Sequence, residues 1–138
     1  MKISVIEKSL YFKGLLLLIR KDREIQEEEK QLMMRIGPIM GFEKKFCENA
    51  IDEIIHNKNI DDSPPLFSNS TIAEYFIHDA IIISLADKEI HETEIAWLTD
   101  IARANGIENI LNDYLKKLTK GKKQEMENNL AVKKLDWE

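Results

Sequence analysis

Apolar residues recur at helical spacing in six stretches of the chain, and this pattern predicts an all-α fold. The run Leu15–Ile19 is apolar on every face, so the helix that contains it should be buried nearly all round. A second apolar run, Ile81–Ile83, lies in the helix predicted over residues 71–86. By itself that β-branched run would also suit a strand. Its counterpart in the first half is all leucine, and we therefore predict helix there too.

Two amphipathic helices follow each of these apolar helices. The apolar stripe of the second helix falls at positions 32, 33, 36, 39 and 40 in the first half, and at 95, 98, 101 and 102 in the second. Gly41 and Gly106 come next, where a left-handed residue favours the end of a helix. The dipeptide Gly37-Pro38 breaks the correspondence, because a proline inside a helix kinks or ends it. The third helices keep the same apolar spacing.

The two halves resemble each other over a gap-free alignment of residues 15–42 with residues 80–107. The offset is 65 residues (87 − 22), and seven of the 28 aligned pairs are identical. The alignment includes an acidic phrase that occurs twice, as DREIQEEE from Asp22 and as DKEIHETE from Asp87. This pattern indicates duplication of one supersecondary unit. We therefore predict a bundle of two pseudo-symmetric helix-turn-helix-helix units.

The chain length of 138 residues, with 43% hydrophobic content, predicts a single domain with one core. The first unit spans about 5–57 and the second about 71–120. Between them, residues 58–70 have the Pro, Ser and Asn density of a linker, and we expect Leu66 and Phe67 to contact the core. The tail at 121–138 has thin periodicity, so the sequence leaves open whether it adds a last helix.

The excess of acidic over basic residues limits the class of partner that the chain can bind. There are 20 Lys and Arg residues against 25 Asp and Glu, which gives a formal charge of −5 and argues against a nucleic-acid partner. A single cysteine, Cys47, excludes an internal disulfide and a cysteine-rich zinc site. We find no signal peptide, and no apolar run approaches the length of a membrane span. A cytoplasmic protein without membrane insertion is therefore expected.

The acidic phrases combine helix-capping and cation-binding chemistry. If Gln26 and His91 are N-cap residues, Glu29 and Glu94 fall at the third helical position, where a solvated carboxylate reaches back to the cap's backbone N–H. Asp22 and Asp87 would instead follow a helix C-terminus, where a carboxylate is unfavourable. A nearby Lys or Arg could compensate for that charge, and so could a bound Ca²⁺ or Mg²⁺. The candidate metal ligands are Asp22, Glu24, Glu29, Asp87, Glu89 and Glu94.

An Asp, a turn, an Ile and then a Glu on the following helix, inside a small duplicated helical domain, resembles the TerB family of tellurite-resistance-associated proteins. The resemblance runs from about Leu10 to Leu118 and rests on DREIQEEE, DKEIHETE, the apolar helices before them and the Gly residues after them. The family usually has Gly after the Asp, where this chain has Arg23 and Lys88. The residues that match the family motif are Asp22, Ile25, Glu29, Asp87, Ile90 and Glu94.

This resemblance implies a TerB-like fold and a non-catalytic role in tellurite or chemical-stress resistance. It also implies a cation-binding module and a protein partner, as in a membrane-associated stress complex. A tight EF-hand calcium site is excluded, because the first half of that loop and its required Gly are missing. At most a weak, partly hydrated cation site remains, or a site shared across the pseudo-twofold axis.

No enzyme is expected, since the sequence gathers no acid, base, nucleophile or phosphate-binding loop. His56, His78 and His91 are scattered without metal-ligand spacing, although His78 and Asp79 could form a buried polar pair. The alternative function is a plain helical protein-interaction domain, in which an acidic face contacts a basic partner and the acidic motifs are structural helix caps. Trp97 and Trp137 are candidate contact residues if they are exposed.

Overall fold

The computed structural model describes residues 2–20, 25–57, 59–85, 90–119 and 130–137. It is all-helical apart from one pair of two-residue strands within these ranges. The six helices are α1 (Val5–Arg20), α2 (Glu27–Ile39), α3 (Lys44–His56), α4 (Ser70–Ser84), α5 (Glu92–Ala104) and α6 (Glu108–Thr119). The strands are β1 (Lys2–Ile3) and β2 (Asp136–Trp137), and a short 3₁₀ helix covers Ala131–Lys134. The all-α prediction is confirmed at this level.

The helices α1 and α4 pack against each other at the centre of the molecule. Both are apolar on nearly every face, as the runs Leu15–Ile19 and Ile81–Ile83 predict, and both runs are buried. Burial of such side chains contributes about 25 cal/mol per Å² of apolar surface. The amphipathic helices surround this pair and direct one apolar stripe each towards it. Ile81–Ile83 is helical because its surroundings, rather than its strand propensity, decide the conformation.

The helices α2 and α5 have bounds that differ by the same 65 positions (92 − 27 and 104 − 39). Each ends in a Schellman motif around a glycine with positive φ, 88° at Gly41 and 71° at Gly106. In the first motif the N–H of Phe42 donates to the carbonyl of Gly37 at 3.0 Å, and in the second Ile107 donates to Ala102 at 2.8 Å. The predicted glycine stops are confirmed.

Pro38 lies inside α2, one residue before the helix ends at Ile39. The proline therefore ends the helix rather than interrupting it. The carbonyl of Pro38 accepts a 3.0 Å hydrogen bond from the N–H of Gly41, so this carbonyl in the last turn of α2 has a hydrogen-bond donor.

The segment between α3 and α4 lies along α5. The side chain of Asn105 accepts from the N–H of Phe67 and donates to the carbonyl of Pro65, both at 2.9 Å. The indole N–H of Trp97 donates to the carbonyl of Asp62 at 3.0 Å. Phe67 is buried as predicted. The prediction that Leu66 also contacts the core is wrong, because Leu66 is 66% exposed.

The C-terminal residues 130–137 pack back on the helices and form no α-helix, while residues 121–129, where the sequence also leaves a last helix open, lie outside the described residues. Their 3₁₀ helix packs on α4, and β2 pairs in parallel with β1. Trp137 stacks edge-on against Tyr11 with a centroid distance of 5.1 Å. The two tryptophans are candidate partner contacts only if they are exposed. Trp97 is 6% exposed, and Trp137 is half-buried in this packing. Within the described residues, no helix is long and apolar enough to span a bilayer.

Candidate functional site

The two acidic phrases place one glutamate each at the same position of a helix. Gln26 and His91 are the N-cap residues of α2 and α5, with extended backbones (φ −75°, ψ 155° and φ −80°, ψ 153°). The backbone N–H of Gln26 donates to Oε1 of Glu29 at 2.9 Å, and that of His91 donates to Oε1 of Glu94 at 3.0 Å. The predicted capping role of both glutamates is confirmed. Their carboxylates also meet the positive end of a helix dipole.

These capping carboxylates are not solvated, which corrects the sequence expectation. Glu29 and Glu94 are both 0% exposed. An ionised carboxylate loses much hydration energy on burial, and charge-assisted bonds from backbone N–H groups offset part of that loss. Ile25 and Ile90, just before the caps, are half-buried against the core. The starts of α2 and α5 are thus fixed by burial as well as by hydrogen bonds.

The remaining four candidate ligands, Asp22, Glu24, Asp87 and Glu89, lie outside the described residues. Across the part of the chain that the structure describes, no three His, Cys, Asp or Glu side chains gather in a way that could hold a metal ion. Cation binding at the acidic turns therefore stays a prediction. Glu29 and Glu94 each have one carboxylate oxygen bonded to the cap.

Another cluster of buried polar bonds lies at Asp79 on α4. One carboxylate oxygen accepts from the hydroxyl of Tyr11 at 2.7 Å and from the N–H of Val132 at 2.8 Å. The other accepts from the N–H of Ala131 at 2.6 Å and lies 3.0 Å from Nδ1 of His78. Asp79 is 0% exposed. The polar pair of His78 and Asp79 suggested by the sequence is present, but its other partners were not foreseen.

Asp79 and its four partners, called the polar hub below, connect α1 and α4 to the C-terminal segment. Tyr11 is buried, and desolvation followed by the adjacent Asp79 raises its pKa well above the ordinary value, so the phenol stays protonated and donates. The only sequence cue was a carboxylate in an otherwise apolar helix. Such a carboxylate needs donors, but the sequence could not name Tyr11 or residues 131 and 132 as their source.

The lone thiol is an unreactive core group. Cys47 is 0% exposed, and burial raises its pKa, which disfavours the nucleophilic thiolate. His56 is exposed on α3 and lies 2.9 Å from the carbonyl of Asp52 one turn earlier. Neither residue approaches a partner that would make a nucleophile and base pair within the described residues.

Two concave regions lie beside α3. A cavity of about 230 Å³ is formed by α1, α3 and the following segment, with Leu16, Leu17 and Ile54 in its floor. A wider and shallower groove of about 420 Å³ lies between α2 and α3, over Met34 and Ile51. Sequence analysis predicted neither, because both form only where separate helices meet.

Comparison with known proteins adds no relative: no family model, no curated protein and no solved structure matches this chain. The function is therefore argued from the residues and geometry described above.

Proposed function

We propose that this chain is a non-catalytic TerB-like module of two duplicated helical units, with a weak divalent-cation site at its acidic turns. Its role would be in a cytoplasmic response to tellurite or other chemical stress, beside a protein partner. The observation that carries the proposal is the matched pair of buried capping glutamates, Glu29 and Glu94, which give the two turns the same anchored start. The common offset of α2 and α5 supports the duplication.

The proposal gives different roles to the six candidate ligands. Glu29 and Glu94 hold the turns in shape, since Oε1 of each is bonded to the cap backbone. Asp22 and Glu24 in the first turn, and Asp87 and Glu89 in the second, are then the carboxylates left to bind a hard cation such as Ca²⁺ or Mg²⁺. Few protein ligands per turn would leave water in the coordination shell and keep the affinity low.

A second candidate is a plain protein-interaction domain, and the surface beside α3 favours it. Phe46 is 41% exposed and stacks on Phe42 with a centroid distance of 4.6 Å. The shallow groove between α2 and α3 is apolar over Met34 and Ile51 and has charged residues of both signs among its lining. In this case the acidic motifs are helix caps only.

Thermal unfolding of the chelator-stripped protein, titrated with Ca²⁺, Mg²⁺ and Mn²⁺ at constant ionic strength, separates the two functions. An ion that binds the native state stabilises it by about 1.4 kcal/mol at ten times its Kd. We expect a saturable, ion-selective rise in Tm that the double variant Asp22→Asn with Asp87→Asn lacks. The matched control is Glu27→Gln with Glu92→Gln, which removes the same charge from exposed positions in the two halves.

A Tm that no ion changes selectively would reject the cation site and leave the capping role. An equal loss of response in the control pair would show that only net charge matters. For the stress role, a strain lacking this protein should become more sensitive to tellurite and recover with the wild-type chain but not with the Asp22/Asp87 variant.

A further inference from the structure

The cavity between α1, α3 and the segment after α3 has a closed apolar floor. Leu16, Leu17 and Ile54 are each at most 8% exposed and contribute to this floor. Ala50 and Ile60 are half-buried at its walls. The volume of about 230 Å³ lies below the roughly 300–1,000 Å³ of pockets for drug-sized ligands, so any ligand must be small. An apolar floor of this kind favours a hydrocarbon group over water.

The rim of the same cavity carries opposite charges on different walls. Lys13 stands on α1, while Glu53 stands on α3 and Asp61 on the segment after it. All three are exposed, and in this described region no ion pair joins Lys13 to either carboxylate. Asp61 is held in place by Ser63, whose N–H and hydroxyl donate to Oδ1 at 3.0 and 2.6 Å. Those bonds lower the pKa of Asp61 and keep it ionised.

We propose that this cavity binds a small zwitterion with an apolar body, the chemical class of a free apolar α-amino acid. The apolar body would occupy the floor over Leu16 and Ile54. The ammonium group would lie towards Glu53 and Asp61, and the carboxylate towards Lys13. A ligand with a single charge would leave one wall of the rim unmatched, and a polar zwitterion such as glycine would leave the floor empty.

The size of the cavity limits the ligand to one such residue. A leucine-sized molecule fills a space of this volume, whereas a peptide or a lipid chain would extend far outside it. A small ligand with partly exposed ionic contacts binds weakly, and we expect a Kd on the order of 1 mM. This inference is independent of the acidic turns, because none of the lining residues belongs to them.

The test is a titration of the ¹⁵N-labelled full chain with L-leucine, followed by NMR chemical-shift changes. Three probes each lack one part of the ligand: isoamylamine has no carboxylate, 4-methylpentanoate has no ammonium and glycine has no apolar body. We expect saturable shifts at residues of α1 and α3 around the cavity for L-leucine, and at least about threefold weaker binding for each other probe. The Asp22/Asp87 variant should bind L-leucine as the wild type does.

Variants of the lining residues locate the binding. Ala50→Met should fill the cavity and remove the shifts, while Lys13→Gln and Glu53→Gln should each weaken binding by about threefold. Matched controls are Lys45→Gln and Glu28→Gln, which make the same changes at exposed positions outside the lining. If Ala50→Met fails to fold, the two rim variants decide.

Three results would overturn the proposal. The first is the absence of saturable shifts at about 20 mM L-leucine, well above the expected Kd. The second is equal binding of any one of the three partial probes, because one recognised part would then be unused. The third is binding that survives the lining variants or falls equally in their controls, because the ligand would then lie elsewhere.

Discussion

Positions 14 and 79 are related by the 65-residue offset between the two halves, but one lacks a side chain and the other uses its side chain for hydrogen bonds. Gly14 leaves room on α1, where a Cβ atom would lie 2.8 Å from a ring carbon of Phe76 on α4. Asp79 on α4 instead uses its side chain to hold Tyr11 and the C-terminal segment. The helix caps recur because each half must cap its own helices. The two central helices instead face each other, and their related positions have different roles: Gly14 on α1 provides space, and Asp79 on α4 provides hydrogen bonds.

A similar contrast separates positions 37 and 102. A Cβ atom on Gly37 would overlap Sγ of Cys47, so α2 and α3 approach too closely for a side chain there. The related position in α5 holds a buried alanine, Ala102. The shared motifs are therefore those that depend on local backbone geometry, and the differences lie where helices meet.

The largest effect should come from removing the side chain that only the second half has. We expect Asp79→Leu to lower the free energy of unfolding by about 3–5 kcal/mol, because it leaves a buried hydroxyl and two buried N–H groups without their acceptor. Gly14→Ala should cost less, about 1–3 kcal/mol, since the ring of Phe76 can shift and alanine favours the helix. Urea unfolding measures both.

Hydrogen exchange at residues 131 and 132 provides the local control for that comparison. Asp79→Leu should lose protection there first, while Gly14→Ala should keep it. Equal losses of stability in the two variants, with protection retained in both, would contradict the hub role of Asp79.

The next effect concerns the close approach of α2 to α3. Gly37→Ala should destabilise by about 1–3 kcal/mol because the added methyl group overlaps the thiol of Cys47. Cys47→Ala in the same chain should recover at least about 1 kcal/mol of that loss in a double-mutant cycle. The opposite change in the second half, Ala102→Gly, should cost about 1–2 kcal/mol through lower helix propensity and the loss of one buried methyl group. Additive effects of Gly37→Ala and Cys47→Ala would show that the clash is not the cause.

Alkaline pH tests the bond between Tyr11 and Asp79 without a substitution. Burial and Asp79 raise the pKa of Tyr11 above its ordinary value of 10.0, so the folded state keeps a proton that the unfolded state releases. The resulting stability is fully present below pH 10 and decreases as the pH rises through the range up to the folded pKa. The decrease should be about 1.4 kcal/mol per pH unit for this one group.

Unfolding curves of wild type and Tyr11→Phe at several alkaline pH values measure this slope. The variant should lose this component and keep a residual slope from Tyr114 and Cys47, whose pKa values burial also raises. Identical slopes in the two proteins would remove Tyr11 as the source.

The smallest effect should be shared by both halves. Glu29→Gln and Glu94→Gln keep an oxygen acceptor for the N-cap N–H but lose its charge, and each should cost about 1 kcal/mol. The two values should agree within about 0.5 kcal/mol, since the two bonds differ by only 0.1 Å. Glu27→Gln and Glu92→Gln, at exposed positions of the same helix turns, are the matched controls. Clearly unequal costs would show that the tertiary surroundings, rather than the cap, decide.

Local features of the fold were predictable from sequence because their causes lie within a few residues. The caps of α2 and α5 connect residues three apart, and the glycine stops need only a positive φ. The burial of Glu29 and Glu94 was not predictable, because it depends on what packs over the turns.

The hydrogen bonds of Asp79 and the packing of the tail could not be predicted from the sequence, because they also depend on contacts between distant residues. Asp79 bonds to Tyr11 and to residues 131 and 132 at separations of 68, 52 and 53 positions. No periodicity encodes such pairs, and the tail 130–137 gains order from these contacts rather than from its own helix propensity. The cation ligands Asp22, Glu24, Asp87 and Glu89 stay a prediction from the repeated phrase alone.

The parallel pairing of β1 with β2 has a consequence for the order of folding. Lys2 pairs with Asp136 and Ile3 with Trp137, so this small sheet closes a loop of nearly the whole chain. Closing so long a loop has a large entropic cost, and only a few hydrogen bonds repay it directly. Helices that are neighbours in the sequence, such as α2 with α3 and α5 with α6, pack directly on each other and do not need this sheet. The sheet should therefore assemble last in folding and open first in unfolding.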